Sequence, residues 1–174
     1  LKTYSDVDAN NISLLGSSNG AAMVNRAMIE LPEGTFKNAI SLASQLTTDQ
    51  YNNNSFWGDA NNDGNYNTSY TLSPSLRALS LHGTNDTTIP YDGGTVNWLS
   101  RTFIEAQQSI LNIATGLGYE GAQVVGTTPF NNTNIVKYEY LSGDVVHYQF
   151  IGGNHGFGGF KNELLEIIRN FISQ

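Results

Sequence analysis

Short apolar runs alternate with amphipathic stretches in the first part of the chain. Residues 12–15 and 36–43 each contain an apolar run of the length expected for a buried strand. Between them, apolar residues recur at helical spacing over residues 21–31, and Pro32 ends that helix. The pattern predicts a β-α-β unit, whose two strands are parallel and joined by a right-handed crossover.

The second half repeats this alternation and ends in a hairpin and a helix. We predict a strand, a long helix, two alternating strands and a closing helix, at residues 76–81, 96–116, 136–140, 146–150 and 160–172. In the last strand the alternation puts His147 on a polar face, which predicts a solvated side chain. Together the elements predict an α/β fold, with a mainly parallel sheet flanked by helices.

Residues 47–74 interrupt this order with a stretch rich in Asn, Ser and Tyr and poor in periodicity. We expect a long surface excursion there. Within it, residues 59–67 imitate the start of a calcium loop, with oxygen-bearing side chains at positions one, three, five and nine. Tyr70 stands where the acidic ligand of position twelve belongs, so a solvated turn is the favoured interpretation and calcium binding the alternative.

Size and charge narrow the class of protein. The 174 residues are 39% hydrophobic, which suits one domain spanning residues 1–174. Fifteen acidic against eight basic residues give a net charge of -7, which argues against nucleic acid as a partner and favours a neutral or cationic ligand. The chain has no cysteine, so disulfides and thiolate metal sites are excluded. It also has no apolar run long enough for a membrane span.

Candidate chemistry begins at residues 16–20, Gly-Ser-Ser-Asn-Gly, between the first strand and its helix. A G-x-S-x-G sequence in that context is typical of a nucleophile elbow, a sharp turn that exposes a serine hydroxyl. Ser18 is then the nucleophile, and a side chain at Gly16 or at Gly20 would crowd the strand against the helix. The alternative is that Ser18 is an ordinary helix N-cap.

A nucleophilic serine requires an imidazole base and a carboxylate that orients it. Asp86 follows the third predicted strand and His155 follows the last, so both lie with Ser18 at the carboxyl edge of a parallel sheet. The order Ser, Asp, His is that of α/β-hydrolases. Alternatively, Asp86 caps a turn and His155 is an exposed loop residue. Of the other histidines, His82 is expected to be packed and structural, and His147 solvated.

Residues 15–20, 82–94 and 152–156 together resemble the polyhydroxybutyrate depolymerase and feruloyl esterase branch of the α/β-hydrolases. The resemblance covers nearly all of the chain. It implies an α/β-hydrolase fold and cofactor-independent hydrolysis of polyhydroxybutyrate-type, feruloyl or acetyl esters.

The same resemblance assigns individual roles. Ser18 is the nucleophile, Asp86 the acid and His155 the base, and the backbone N–H of Asn19 forms one half of the oxyanion hole. The family's early strands and its second oxyanion donor would precede Leu1, so the chain corresponds to the carboxyl-terminal portion of the fold. The resemblance also implies a secreted or periplasmic location. The alternative function is a non-catalytic fragment that acts as a binding module.

Overall fold

The structure is a computed structural model that describes residues 3–130 and 132–174. Leu1, Lys2 and Asn131 lie outside this description, and with them the expectation that further strands precede Leu1. The described residues form ten strands and three α-helices. In chain order they are β1 (Ser13–Ser17), α1 (Asn19–Glu30), β2 (Asn38–Leu42), β3 (Tyr51–Asn52), β4 (Ser55–Gly58), β5 (Thr68–Tyr70), β6 (Arg77–Gly83), β7 (Gly94–Val96), β8 (Arg101–Phe103), α2 (Ala106–Gly116), β9 (Ile135–Tyr140), β10 (Val145–Phe150) and α3 (Lys161–Ile172).

A five-stranded sheet in the order β1-β2-β6-β10-β9 forms the centre of the molecule. The first four strands are parallel, and β9 runs antiparallel to β10. Both the predicted β-α-β unit and the predicted terminal hairpin are present. This arrangement confirms an α/β fold with a mostly parallel sheet flanked by helices.

Helices cover both faces of this sheet. On one face, Val24 and Met28 of α1 join Ile110 of α2 in a hydrophobic cluster. On the other face, Ile167 and Phe171 of α3 belong to a second cluster. Every residue of β2 and of β6 is buried, as expected for parallel strands covered on two sides.

The prediction of a solvated His147 is wrong. Its side chain has no exposed surface, because α2 packs against the sheet face that the hairpin pattern suggested was polar. His147 Nε2 lies 3.0 Å from Tyr91 Oη, and Nδ1 lies 3.1 Å from Ser80 Oγ. Burial is the main reason that the pKa of His147 falls to about 3, and repulsion from His82 adds to it.

Strand β1 is an edge of the sheet in the described residues, not a strand buried on both faces as its apolar run predicted. Leu15 is 53% exposed. Ile12 O accepts from Lys37 N, and Ser18 N donates to Leu42 O, both at 2.8 Å. Because backbone direction alternates along a strand, the N–H and C=O groups of Leu15 face away from β2.

Residues 47–74 are more ordered than predicted. Strands β3, β4 and β5 form a small antiparallel sheet, and the buried Phe56 and Leu72 anchor the segment to the core. The hairpin between β3 and β4 turns at Asn53 and Asn54, both with positive φ. Asparagine tolerates that conformation, so the Asn-Asn pair was a hairpin signal that the sequence interpretation missed.

The predicted helix over residues 96–116 is half as long as expected, because α2 begins at Ala106. The preceding residues form the antiparallel pair β7–β8, connected through a single 3₁₀ turn. Val96 and Phe103 are spaced like helix neighbours but instead pack with Ile89 in a small separate cluster. Glu105 begins α2 by accepting the backbone N–H groups of residues 107 and 108.

The calcium-like residues 59–67 form a turn with an arginine against it. The Asp59 carboxylate accepts the backbone N–H groups of Asp63 and Gly64. Arg26 donates to Asp59 O at 2.8 Å and to Asn62 Oδ1 at 2.7 Å. The oxygens that calcium would need thus already accept hydrogen bonds, and the positive charge beside them is the Arg26 guanidinium. Both observations favour the turn over a calcium site.

Candidate functional site

The turn between β1 and α1 has a strained backbone at Ser18, with φ 54° and ψ -117°. Positive φ is uncommon for a residue other than glycine, and such strain concentrates at functional sites. Gly16 permits the turn, since a Cβ there would lie 2.2 Å from Gly20 O. The prediction for Gly20 is wrong, because a Cβ at that position would meet nothing within 4 Å.

Ser18 occupies the N-cap position of α1, yet its side chain makes no capping hydrogen bond. Its Oγ lies instead 2.8 Å from Nε2 of His155. The two residues are 137 positions apart in the sequence. The hydroxyl therefore contacts the imidazole of His155. The N-cap alternative required a hydrogen bond from the helix backbone to this hydroxyl, and none is present.

The loops after β6 and β10 are joined directly to one another. Asn85 N donates to Gly153 O at 2.8 Å, and Gly152 N donates to Thr84 Oγ1 at 2.9 Å. A Cβ on Gly83 would lie 2.2 Å from Gly153 O, so only glycine permits this approach. The contact holds the loop that carries Asp86 beside the loop that carries His155.

Asp86 is buried and uses both carboxylate oxygens. Oδ2 lies 2.7 Å from His155 Nδ1. Oδ1 accepts the backbone N–H groups of Thr88 and Ile89, at 2.8 and 2.9 Å. Asp86 thus caps a turn, as the alternative held, and also contacts the histidine that the sequence analysis paired with it.

The same contacts set the charge of Asp86. Burial is the largest influence and raises the pKa, but hydrogen bonds from His82, Ile89, His155 and Thr88 outweigh it and lower the pKa to about 2. The carboxylate is therefore ionised at neutral pH.

An ionised carboxylate accepts hydrogen bonds and donates none. Nδ1 of His155 must accordingly carry the proton that it shares with Asp86. In the neutral ring Nε2 then has a free lone pair, which accepts the hydroxyl proton of Ser18. The side chain of His155 is 28% exposed, so solvent and small molecules reach it.

Asn19 is the first residue of α1 and is exposed. The first N–H groups of a helix have no acceptor within the helix, and the helix dipole is positive at that end. The backbone N–H of Asn19 follows Ser18 directly and is available to an anion or a polarised oxygen beside the hydroxyl.

His82 was expected to be a packed structural histidine, and its side chain indeed has no exposed surface. It also lies at the site, because its Nε2 is 3.1 Å from Oδ2 of Asp86. Sequence reasoning missed this contact. The spacing of four residues hints at it only once the turn that follows β6 is known.

Comparison of the chain with protein-family models, with curated proteins and with solved structures finds no match. In residues 3–130 and 132–174, no cluster of three or more histidine, cysteine, aspartate or glutamate side chains could hold a metal ion. None of the helices described has the length and apolar character needed to cross a bilayer.

Proposed function

We propose that the protein is a serine hydrolase of carboxylic esters, with Ser18, His155 and Asp86 as its catalytic triad. The observation that carries the proposal is the continuous path of hydrogen bonds from Ser18 Oγ through both nitrogens of His155 to Asp86 Oδ2, at 2.8 and 2.7 Å. The same three residues emerge from the sequence pattern alone. The strained turn at Ser18 supports the proposal independently.

Acylation begins when Ser18 Oγ attacks the ester carbonyl carbon and His155 Nε2 takes the hydroxyl proton. The protonated imidazole is stabilised by the Asp86 carboxylate and then transfers its proton to the departing alcohol. In deacylation, His155 Nε2 removes a proton from water, which attacks the acyl carbonyl carbon. The bond from that carbon to Ser18 Oγ then breaks, the protonated His155 returns its proton to Oγ, and the acid is released. No cofactor takes part.

The tetrahedral intermediate carries a negative charge on the former carbonyl oxygen. We assign its stabilisation in part to the Asn19 N–H, which has the position and the dipole for this role. A second donor would complete the oxyanion hole. Loss of one such donor typically costs about 100- to 1,000-fold in rate. We therefore expect a site with the Asn19 N–H alone to be slower by about that factor than a site with two donors.

The sequence resemblance supports polyhydroxybutyrate-type, feruloyl and acetyl esters as substrates, and the α/β-hydrolase fold as the detailed fold class. The net charge of -7 suits neutral esters better than anionic ones. Parallel assays with acetyl, feruloyl and hydroxybutyrate esters would rank the three groups.

The test of the proposed function is hydrolysis of p-nitrophenyl acetate by the wild type and by Ser18→Ala. We expect the variant to lose at least about 1,000-fold in kcat/KM. Ser17→Ala is the matched control, since Ser17 is the adjacent exposed serine and should remain active. Equal rates for wild type and Ser18→Ala would contradict the proposal and favour a non-catalytic binding module.

A further inference from the structure

A second histidine contacts the carboxylate of Asp86. His82 is the penultimate residue of β6, and its Nε2 lies 3.1 Å from Asp86 Oδ2 and 3.0 Å from Ile89 O. Oδ2 is therefore approached by His82 from inside the protein, while His155 approaches it from the exposed side.

The partners of His82 determine which nitrogen carries its proton. A carboxylate oxygen and a carbonyl oxygen both accept hydrogen bonds, so Nε2 must be the donor. Nδ1 is buried and has no hydrogen-bond partner in the described part of the chain. A proton on Nδ1 would be buried without an acceptor, which costs free energy. The neutral ring with the proton on Nε2 is the form that fits.

We propose that His82 is a positioning residue for the ester hydrolysis proposed above, since its Nε2–H fixes Oδ2 of Asp86 where that oxygen meets Nδ1 of His155. The inference depends on the proposed function, because it assigns His82 a task in that reaction. His82 acts through Asp86, because its side chain is fully buried and its Nε2 contacts Asp86 Oδ2 and Ile89 O.

The surrounding contacts support this assignment. Ile89 N donates to Oδ1 of Asp86 and Ile89 O accepts from His82, so the carboxylate is held from both sides by one short loop. Among the groups that lower the pKa of Asp86 against burial, His82 has the largest effect, ahead of His155. The hydrogen bond from His82 thus keeps the carboxylate ionised as well as oriented.

The other polar groups near His82 lie on the buried side. The Tyr91 ring meets the His82 ring edge-on, with centroids 5.7 Å apart. His147 follows behind Tyr91, bound to its hydroxyl. His155 lies across Asp86. In these contacts the Asp86 carboxylate is the acidic group that faces His82.

Without the donor at residue 82, His155 becomes the remaining side-chain donor to Oδ2. The negative charge is then shared with fewer donors and stabilises a protonated His155 more strongly. Catalysis needs His155 unprotonated at the outset, so the acidic limb of the pH profile of kcat/KM should move to higher pH. A purely structural role for His82 would lower the active fraction at every pH and leave the limb unmoved.

The test compares His82→Leu with His82→Gln, using p-nitrophenyl acetate at several pH values. For His82→Leu we expect kcat to fall about 10- to 100-fold, the rate equivalent of one charged hydrogen bond, with KM within about twofold. Its acidic limb should move to higher pH. The amide Nε2 of His82→Gln can donate to the same oxygen and should restore most of the rate and the wild-type limb.

His147→Gln is the matched control, because it also removes a fully buried histidine but one that contacts none of the three proposed catalytic residues. Its acidic limb should stay in place. An unmoved limb in His82→Leu, or equal losses in the Leu and Gln variants, would overturn the inference.

A measurement on the wild type covers the case in which His82→Leu does not fold. In ¹⁵N-histidine NMR, His82 should be the tautomer with the proton on Nε2, and a proton on Nδ1 with Nε2 bare would overturn the inference. Ser18→Ala separates the two proposals. If Ser18→Ala hydrolyses the ester as fast as wild type, the proposed function fails, whereas a lost rate in Ser18→Ala with an unmoved limb in His82→Leu refutes only the role of His82.

Discussion

Replacing Gly16 by alanine should damage both the fold and the candidate active site. The added Cβ would lie 2.2 Å from Gly20 O, 2.3 Å from Gly20 C and 2.7 Å from Ala21 N. All three are backbone atoms in the first turn of α1, so no side-chain rotation relieves the overlap.

The size of the effect follows from the distance that must open. An ordinary contact begins near 3.4 Å, so the start of α1 has to retreat from β1 by about 1.2 Å. Overpacking of this kind costs about 3 kcal/mol of unfolding free energy. Ser18 and the Asn19 N–H move with the helix start, and a displacement of about 1 Å at a catalytic group costs about 100-fold in rate.

The assay is urea unfolding followed by circular dichroism, together with hydrolysis of p-nitrophenyl acetate. Gly20→Ala is the matched control, because its Cβ would point into open space and residue 20 lies inside α1. Alanine in a helix is more favourable than glycine by up to about 1 kcal/mol, so this control should be as stable as wild type or more so. Equal stability and equal rates in Gly16→Ala and Gly20→Ala would show that a Cβ at residue 16 does not displace the start of α1.

Three further predictions concern stability and association. In the wild type, the buried His147 has a pKa of about 3 and stays neutral at pH 5, whereas the same residue in the unfolded chain takes up a proton. This difference lowers the free energy of unfolding by about 2 kcal/mol at pH 5, and His147→Gln should remove that loss between pH 7 and pH 5. Equal pH dependence of wild type and variant in urea unfolding would contradict this. Asp86 has a lowered pKa of about 2, so its roughly 2 kcal/mol of stabilisation is present above pH 4 and lost as pH falls toward 2. Asp86→Asn should therefore show a smaller stability change across that range, and an unchanged slope would count against the assignment. Leu15→Lys should reduce concentration-dependent self-association in sedimentation velocity, since β1 is an edge of the sheet in residues 3–130 and 132–174 and charge on an edge strand opposes pairing. Identical profiles for wild type and variant would argue against association through β1.

The parallel sheet was predictable because its central strands β2 and β6 are buried on both faces and appear in the sequence as short apolar runs. The burial of both faces of the hairpin strand β10 was not predictable in this way. The alternation in residues 146–150 predicted one buried and one solvent-exposed face, whereas α2 and α3 cover the two faces. His147 is polar in sequence but satisfied inside by Tyr91 and Ser80, a pairing that depends on tertiary packing.

The helix predicted over residues 96–116 shows a second limit of periodicity as a guide to structure. The step of seven residues between Val96 and Phe103 suits a helix, but it also joins two strands of a short hairpin whose apolar residues share one cluster. A positive φ at Ser100 breaks the helix there. Serine gives no warning of that conformation, as glycine would have done.

At the candidate site, the meeting of Ser18, Asp86 and His155 was predictable because the carboxyl ends of parallel strands converge at one edge. The contact of His82 with Asp86 was not. It depends on the turn by which the loop after β6 folds back over the end of its own strand, and on Ile89 closing that turn.

The proposed mechanism depends on Ser18 being a nucleophile that His155 activates. The most direct measurement is reaction with a fluorophosphonate probe, followed by mass spectrometry of the intact protein and of its peptides. We expect one adduct, located on Ser18, with labelling abolished in Ser18→Ala and strongly slowed in His155→Gln. No adduct on the wild type, or equal labelling of the wild type and Ser18→Ala, would contradict it.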